Sequence, residues 1–323
     1  MNTSVPQPVA DSISAISQTL DADVFLFSAE ISANTADNLI KLIREKKQRR
    51  PNVVLVLATY GGSPDSAFRM TRILQEKYEK ITLFIFGYCK SAGTLIAIGA
   101  DELVISDFGE LGPLDVQVFK DDELRRTSGL DLLQSLEVVG DRVFTIFEDC
   151  LMKTIYSSSG VITTKTAADI ASSISTGLLG PITAQIDPVR LGEVFRSMDV
   201  AVAYGMRLNP RLEATIKKLV HDYPSHIFAI DYKEAKTLFE NVRKPNSDEY
   251  VLENALYQFT RSPTHEIIII DLGELASEDD SKASDEFIEI DKKVDDEDAE
   301  RVGENGRDPV GSKKARSRGR KTG

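Results

Sequence analysis

The sequence is short of cysteine, tryptophan and long apolar runs, and each shortage excludes a class of protein. Only Cys89 and Cys150 are cysteines among the 323 residues, and tryptophan is absent, which excludes a disulfide scaffold and a cysteine-rich zinc site. The longest apolar stretches, such as residues 53–58, fall well below the ~18–20 residues of a membrane-spanning helix. The first residues carry neither a basic start nor an apolar run, so no secretory signal is expected. These features favour a cytoplasmic protein without a membrane span.

The formal net charge of −12 is spread unevenly along the chain. Residues 274–304 contain 14 acidic and 4 basic residues, and residues 307–323 contain 7 basic residues and 1 aspartate. Such segments cannot bury enough apolar surface to offset their ordering entropy, so residues 274–323 are expected to form a disordered tail that could contact a separate partner. The remaining body is acidic, and no nucleic-acid-binding face is expected there.

Apolar runs of strand length alternate with helical patterns through the first third of the chain. Strands are predicted at residues 23–31, 52–59, 81–87 and 102–106, with helices between them. This alternation predicts βαβ units and an α/β fold with a largely parallel sheet. From about residue 131 the pattern is mostly helical, with one late strand at residues 266–271. We therefore expect a flexible N-terminus over residues 1–20 and one folded domain over residues 21–273.

Two strand-to-helix corners combine small and reactive residues. The first is Ala58-Thr59-Tyr60-Gly61-Gly62-Ser63-Pro64, and the second is Gly87-Tyr88-Cys89-Lys90-Ser91-Ala92-Gly93-Thr94. Taken singly, the first is typical of a glycine turn and the second of a serine N-cap. Adjacent parallel strands would instead place Gly61 and Gly62 beside Ser91, at the carboxyl edge of the sheet where such folds carry their sites. A serine oxygen beside the amides of Gly62 and Ala92 is the minimum for acyl transfer through an oxyanion.

The segments VVLVLATYGGSPDSAFRM, YCKSAGTLIAIGADELVIS and GELGPLDVQ, in this order, resemble the Clp-protease/crotonase superfamily. Together with the later YPSHIFAID, they are most similar to the serine dehydrogenase proteinase family, which is related to the Clp proteolytic subunit and to signal peptide peptidase A. The resemblance implies a Clp/crotonase-like fold with repeated ββα units, Ser91 as nucleophile, and the amides of Gly62 and Ala92 as oxyanion hole. It also implies a peptide or protein substrate and a homo-oligomer. No cluster of histidine, cysteine and carboxylate residues has the spacing of a metal site, and no cofactor is expected.

The general base is where the sequence departs from the Clp pattern. That pattern has a histidine just after the next strand, whereas LGPLDVQV offers only Asp115 and Gln117. Related signal peptide peptidases and stomatin-cleaving proteases use a lysine on a later helix, and Lys153 resembles it. Apolar neighbours in CLMKTIYSSSG suggest that Lys153 is partly buried, which would favour its neutral, proton-accepting form. His226, near the position of the third Clp triad member, is the alternative base.

Two further hypotheses stay open at this stage. A crotonase-like acyl-CoA enzyme uses the same pair of amides, but its chemistry usually needs a carboxylate base rather than a serine. A non-catalytic scaffold would keep the fold without a base and bind partners through the tail.

Overall fold

The strands and helices follow the order expected from the sequence in the first third of the chain. The computed structural model describes residues 6–114, 117–118, 127–159, 161–185, 187–225, 227–263 and 267–277. The strands are β1 (Ala22–Ser28), β2 (Asn52–Ala58), β3 (Lys80–Ile85), β4 (Tyr88–Cys89), β5 (Glu102–Ile105), β6 (Glu110–Leu111), β7 (Gln117–Val118), β8 (Thr127–Ser128), β9 (Val242–Arg243) and β10 (Ile268–Asp271). The helices are α1 (Gln7–Thr19), α2 (Ala33–Glu45), α3 (Pro64–Lys77), α4 (Ala92–Ile98), α5 (Gly129–Ser157), α6 (Thr164–Thr183), α7 (Pro188–Leu208), α8 (Glu213–His221), α9 (Tyr232–Leu238), α10 (Ser247–Ala255), α11 (Tyr257–Arg261) and α12 (Leu272–Ser277).

The central sheet has the strand order β10-β1-β2-β3-β5-β9. Five of its strands run parallel to one another: β1, β2, β3, β5 and β9. The sixth strand, β10, pairs with β1 in the antiparallel direction at one edge of the sheet. The largely parallel α/β sheet predicted from the sequence is confirmed.

Both faces of the sheet are covered, which explains why β1 and β2 are apolar at almost every position. Phe25 and Leu55 belong to a core formed with α2, α3, α4 and α7 on one face. Val24 and Val54, which point the other way because strand side chains alternate, belong to a second core formed with α1, α10 and α12. Burying a side chain of this size contributes about 1.5–3 kcal/mol, so the central strands form a rigid support for the loops at their ends.

The predicted flexibility of residues 1–20 is wrong for most of this segment. They were expected to be flexible, but Gln7–Thr19 forms α1, with Ile13 and Ile16 buried. The hydroxyl of Ser12 donates to the carbonyl of Asp248 in α10, and α1 also packs against α12. The helix is stabilised by segments more than 200 residues away, and residues 1–5 lie outside the described residues.

The C-terminal boundary differs from the expected one by a few residues. The late strand covers Ile268–Asp271, and α12 follows it to Ser277 with Leu275 buried. Disorder from residue 274 is therefore wrong for residues 274–277, and the folded domain extends beyond both expected limits. The rest of the tail, residues 278–323, lies outside the described residues. In the described part of the chain, no helix combines the length and apolarity that crossing a bilayer requires.

Candidate active site

The first glycine corner is fixed between two neighbouring segments. On one side, Ile31 donates its N–H to the Gly61 carbonyl (2.8 Å) and accepts from the Ser63 N–H (2.7 Å). Inside the turn, the buried Thr59 hydroxyl accepts from the Gly61 N–H at 3.0 Å. Ser63 then caps α3, because its side chain accepts from the Ser66 N–H. The corner is thus held by hydrogen bonds at both of its ends.

Both glycines adopt backbone angles that other residues rarely reach. The φ angle is +111° at Gly61 and +135° at Gly62. A Cβ at Gly62 would lie 2.1 Å from the Ile31 carbonyl oxygen, a distance that only a backbone shift could relieve. The expectation that this corner needs glycine is confirmed, since strain and close approach both exclude a side chain.

The second corner lies directly beside the first. Beyond the end of β3, β4 pairs with the end of β2, where the Thr59 N–H donates to the Tyr88 carbonyl (2.7 Å) and the Lys90 N–H donates to the Thr59 carbonyl (3.0 Å). A Cβ on Gly61 would lie 2.9 Å from the Ser91 Cβ and 3.4 Å from its Oγ. The juxtaposition of the glycine corner and the serine, predicted from parallel strand order, is confirmed.

Ser91 has a strained backbone and does not cap the helix that it precedes. Its φ and ψ angles are +47° and −110°, a region that costs a non-glycine residue about 1–3 kcal/mol. Its side chain makes no capping hydrogen bond to α4, so the N-cap interpretation of this serine is wrong. The residue is half-buried. A strained serine on a tight strand-to-helix turn is the geometry of a nucleophile elbow.

Two backbone amides of the glycine and serine corners have no acceptor within the described part of the chain. Among the described residues, the N–H groups of Gly62 and Ala92 donate to no protein acceptor. A buried N–H without a partner is rare, because leaving it unpaired costs about 1–3 kcal/mol. Ala92 is only 3% exposed. Both amides are therefore candidates for binding an oxygen of a substrate.

Lys90, which the sequence analysis did not assign to the site, joins a third segment to the serine corner. Its ammonium donates to the Leu111 carbonyl at 3.2 Å and to the Phe228 carbonyl at 3.5 Å, and it pairs with Glu110 at 3.4 Å. Burial lowers the pKa of Lys90, and Glu110 opposes that shift. A lysine between a buried cysteine and the serine was the signal that could have identified it.

The LGPLD segment is bound to the same corner through α4 and through the YPSHIFAID segment. Leu111 and Ile230 exchange two backbone hydrogen bonds of 3.0 Å, which form an antiparallel bridge. Thr94, fully buried in α4, donates its hydroxyl to the Gly112 carbonyl at 2.6 Å. The side chains of Asp115 and Gln117 lie outside the described residues.

We expect Thr94→Val to destabilise the protein by about 1–3 kcal/mol, because the isosteric change leaves the buried polar groups of Gly112 without their partner. The measurement is the midpoint of denaturant unfolding. Thr237, whose hydroxyl makes an exposed bond to the Glu234 carbonyl, supplies the control Thr237→Val, with an expected change of less than about 0.5 kcal/mol. Equal midpoints for the two variants would contradict the assigned role of Thr94.

Lys153 lies on α5, and its side chain is 76% exposed. Its ammonium contacts the Asp149 carboxylate one helical turn away, at 3.3 Å. The partial burial expected from its apolar neighbours is wrong in the single chain, because α5 packs mainly against α6 and leaves this face open. The alternative base, His226, lies outside the described residues, although Phe228 of the same segment contacts Lys90.

Cys89, two residues before Ser91, does not compete with it as a nucleophile. Burial raises the pKa of the Cys89 thiol to about 12, so this thiol stays protonated and inert at neutral pH. Cys150 is half-buried, and both cysteines are free. Within the described residues, no group of three or more histidine, cysteine, aspartate or glutamate side chains could hold a metal ion.

The largely parallel sheet defines an α/β fold, with the serine corner at the carboxyl ends of its strands. More specifically, residues 20–137 match the family of ClpP-like SDH-type serine proteinases, which confirms the resemblance carried by the motifs. The matched range contains Gly62, Ser91 and Ala92 and ends before Lys153 and His226.

Curated relatives and solved structures share parts of the chain. Two uncharacterized proteins of Methanocaldococcus jannaschii, MJ1495 and MJ0137, are 30% and 27% identical over 88 residues, which is 27% of this chain. The match spans 30% of the length of each of these relatives. A substrate-peptide complex of a mutant 1510-N membrane-bound stomatin-specific protease aligns over 77% of this chain and 88% of its own, with 11% identity and a TM-score of 0.41. A second mutant of that protease aligns over 46% and 69%, with 16% identity and a TM-score of 0.30.

Proposed function

We propose that this protein is a serine peptidase that hydrolyses peptide bonds through an acyl-enzyme on Ser91. The observation that carries the proposal is the geometry of one residue. Ser91 has a strained backbone, it makes no helix-capping bond, and it contacts a glycine corner. The amides of Gly62 and Ala92 have no acceptor among the residues that the structure describes. The match of the surrounding segment to a serine proteinase family supports it.

In the proposed reaction, the Ser91 Oγ attacks the scissile carbonyl carbon while a base takes its proton. The carbonyl oxygen becomes an oxyanion, which the N–H groups of Gly62 and Ala92 stabilise. The tetrahedral intermediate then collapses, the C–N bond breaks, and the proton passes from the base to the leaving amine. Water repeats the cycle on the ester and releases the acid. Each amide that is aimed at the oxyanion supplies about 10²–10³-fold in rate.

We propose Lys153 as the base. Because its side chain is 76% exposed in the single chain, it must be covered by other protein groups to take up this role. An ammonium in water holds its proton at neutral pH, so the amine must be desolvated to act as a base. Two exposed apolar side chains lie near it on α5: Met152 is 47% exposed and Tyr156 74%. A surface of this kind is typical of an interface, and covering it with a second copy of the chain would desolvate Lys153. We therefore propose that the active form is a homo-oligomer in which α5 is covered.

Labelling of the full-length protein with a fluorophosphonate tests the proposal. We expect one label per chain, located by mass spectrometry on the peptide that contains Ser91, and no label on Ser91→Ala. Ser63→Ala is the matched control, because Ser63 lies in the adjacent corner and caps α3. It should be labelled like the natural protein.

Two results would refute the proposal. Equal labelling of the natural protein and Ser91→Ala would remove Ser91 as the nucleophile. Absence of label from every variant would favour the non-catalytic scaffold.

A further inference from the structure

A cluster of rings around one guanidinium lies beside the serine corner. We call it the Arg261 patch and define it as Tyr60, Tyr88, Phe108, Tyr257 and Arg261. The rings of Tyr60 and Tyr88 are 5.1 Å apart, and those of Phe108 and Tyr257 are 5.4 Å apart. Tyr60, Phe108 and Tyr257 are 56%, 48% and 44% exposed, so the patch presents aromatic surface to solvent.

Arg261 is held firmly within this patch. One nitrogen donates to the Phe108 carbonyl at 2.9 Å and another donates to the Tyr88 hydroxyl at 3.3 Å. The guanidinium carbon lies 4.4 Å from the centre of the Tyr88 ring. The end of α11 is fixed as well, since a Cβ on Gly87 would lie 1.8 Å from the Thr260 carbonyl oxygen. The guanidinium is therefore pre-organised.

The charge of Arg261 has no carboxylate partner among the described residues. The nearby carboxylate of Glu110 pairs with Lys90 at 3.4 Å, and that of Asp107 pairs with Lys244 at 2.7 Å. A guanidinium has five N–H donors, and the two hydrogen bonds above leave the others available. A fixed guanidinium with unused donors between aromatic rings suits a carboxylate, which it can bind with two parallel hydrogen bonds.

The patch is adjacent to the proposed nucleophile. Tyr60 directly precedes Gly61, whose Cβ position is 3.4 Å from the Ser91 Oγ. Burial raises the pKa of Tyr60 and lowers that of Lys90, and the charge of Arg261 acts on both groups. Ser91 and Arg261 are thus linked through Gly61, Tyr60 and Tyr88, whose ring lies 5.1 Å from that of Tyr60 and 4.4 Å from the guanidinium carbon.

We propose that Arg261 determines specificity by binding a carboxylate of the substrate peptide close to the scissile bond. This inference rests on the proposed peptidase function. The carboxylate can come from an aspartate or glutamate side chain or from the C-terminus of the peptide. The exposed rings would shield the resulting ion pair from water, which strengthens it relative to an exposed pair.

The test measures binding by fluorescence anisotropy to the full-length Ser91→Ala protein. The probes are one fluorescein-labelled peptide with an internal aspartate and an amidated end, its asparagine analogue with an amidated end, and that analogue with a free C-terminus. We expect at least one carboxylate peptide to bind about tenfold more tightly than the neutral peptide, as for a charge-assisted hydrogen bond. Which peptide gains affinity identifies the source of the carboxylate.

Substitutions in the same background locate the effect. Arg261→Gln should reduce the preference to within about twofold. Arg261→Glu should reverse it, so that a fourth probe, the amidated lysine analogue, binds more tightly than the aspartate peptide, a result that misfolding cannot produce. Arg211→Gln is the matched control, since Arg211 lies near Gly99 and Asp101. These residues directly precede β5 and lie at the amino ends of the parallel strands, whereas Ser91 lies at the carboxyl ends. Arg211→Gln should leave the preference unchanged.

The inference and the proposed function can fail separately. Equal binding of the three peptides, or a preference that survives Arg261→Glu, would overturn the role of Arg261 even if Ser91 is labelled. Carboxylate discrimination without labelling of Ser91 would instead support the Arg261 site and refute the peptidase.

Discussion

Replacing Gly62 with alanine is expected to lower the rate of Ser91 acylation by about 10²–10³-fold, the scale of losing an oxyanion donor. The added Cβ would lie 2.1 Å from the Ile31 carbonyl oxygen, and the residue would have to keep a φ of +135°. Relief requires a shift of the backbone, which moves the Gly62 N–H away from the developing oxyanion. The measurement is the rate of phosphonate labelling under single-turnover conditions.

Two control variants separate this effect from general damage. Gly192→Ala in α7 adds a methyl group where no atom lies within 4 Å, and it should label normally. Gly61→Ala places a Cβ 3.4 Å from the Ser91 Oγ and should also slow acylation, by crowding the nucleophile itself. Circular dichroism and gel filtration verify that each variant is folded. A folded Gly62→Ala protein that labels at the natural rate would exclude this amide from the oxyanion hole.

The central sheet could be predicted because its strands are buried on both faces. Continuous apolar runs such as residues 52–58 carry a strong signal that does not depend on distant contacts. The helix α1 could not be predicted in this way, because its segment is rich in serine and alanine and buries few large apolar side chains. It is stabilised by α10 and α12 from the other end of the chain, and a single sequence does not show such contacts.

The candidate site was also predicted only in the parts that depend on local sequence patterns. Strand order and glycine content are enough to bring Gly61 beside Ser91, since both follow from local patterns and parallel topology. The environment of a long polar side chain depends instead on tertiary contacts. Lys90 is almost buried and bound to Leu111 and Phe228, whereas Lys153, which has apolar neighbours in sequence, lies on an open helix face. Neighbours in sequence were a poor guide to burial for both lysines.

Replacing Lys153 with alanine should lower the acylation rate by about 10²-fold or more, the scale of general-base catalysis. Lys153→Arg should be equally inactive, because a guanidinium keeps the charge but does not release its proton. Lys217→Ala is the matched control, since Lys217 is also exposed and pairs with Glu213 one helical turn away at 2.7 Å. Its labelling rate should stay within about twofold of the natural protein. A natural rate in Lys153→Ala would exclude this base and make His226→Ala the next variant to measure.

The oligomeric arrangement can be tested with the same inactive variants. The amine of Lys153 is exposed in one chain, so a neighbouring copy must cover it for it to act as a base. If that copy also supplies the serine, then mixing Ser91→Ala with Lys153→Ala should restore peptidase activity in the mixed oligomers, because these contain one intact pair. If both groups come from one chain, the mixture should stay inactive while gel filtration still shows an oligomer. A Lys153 that acts as base in a protein remaining monomeric at every concentration would contradict the requirement for a covered α5.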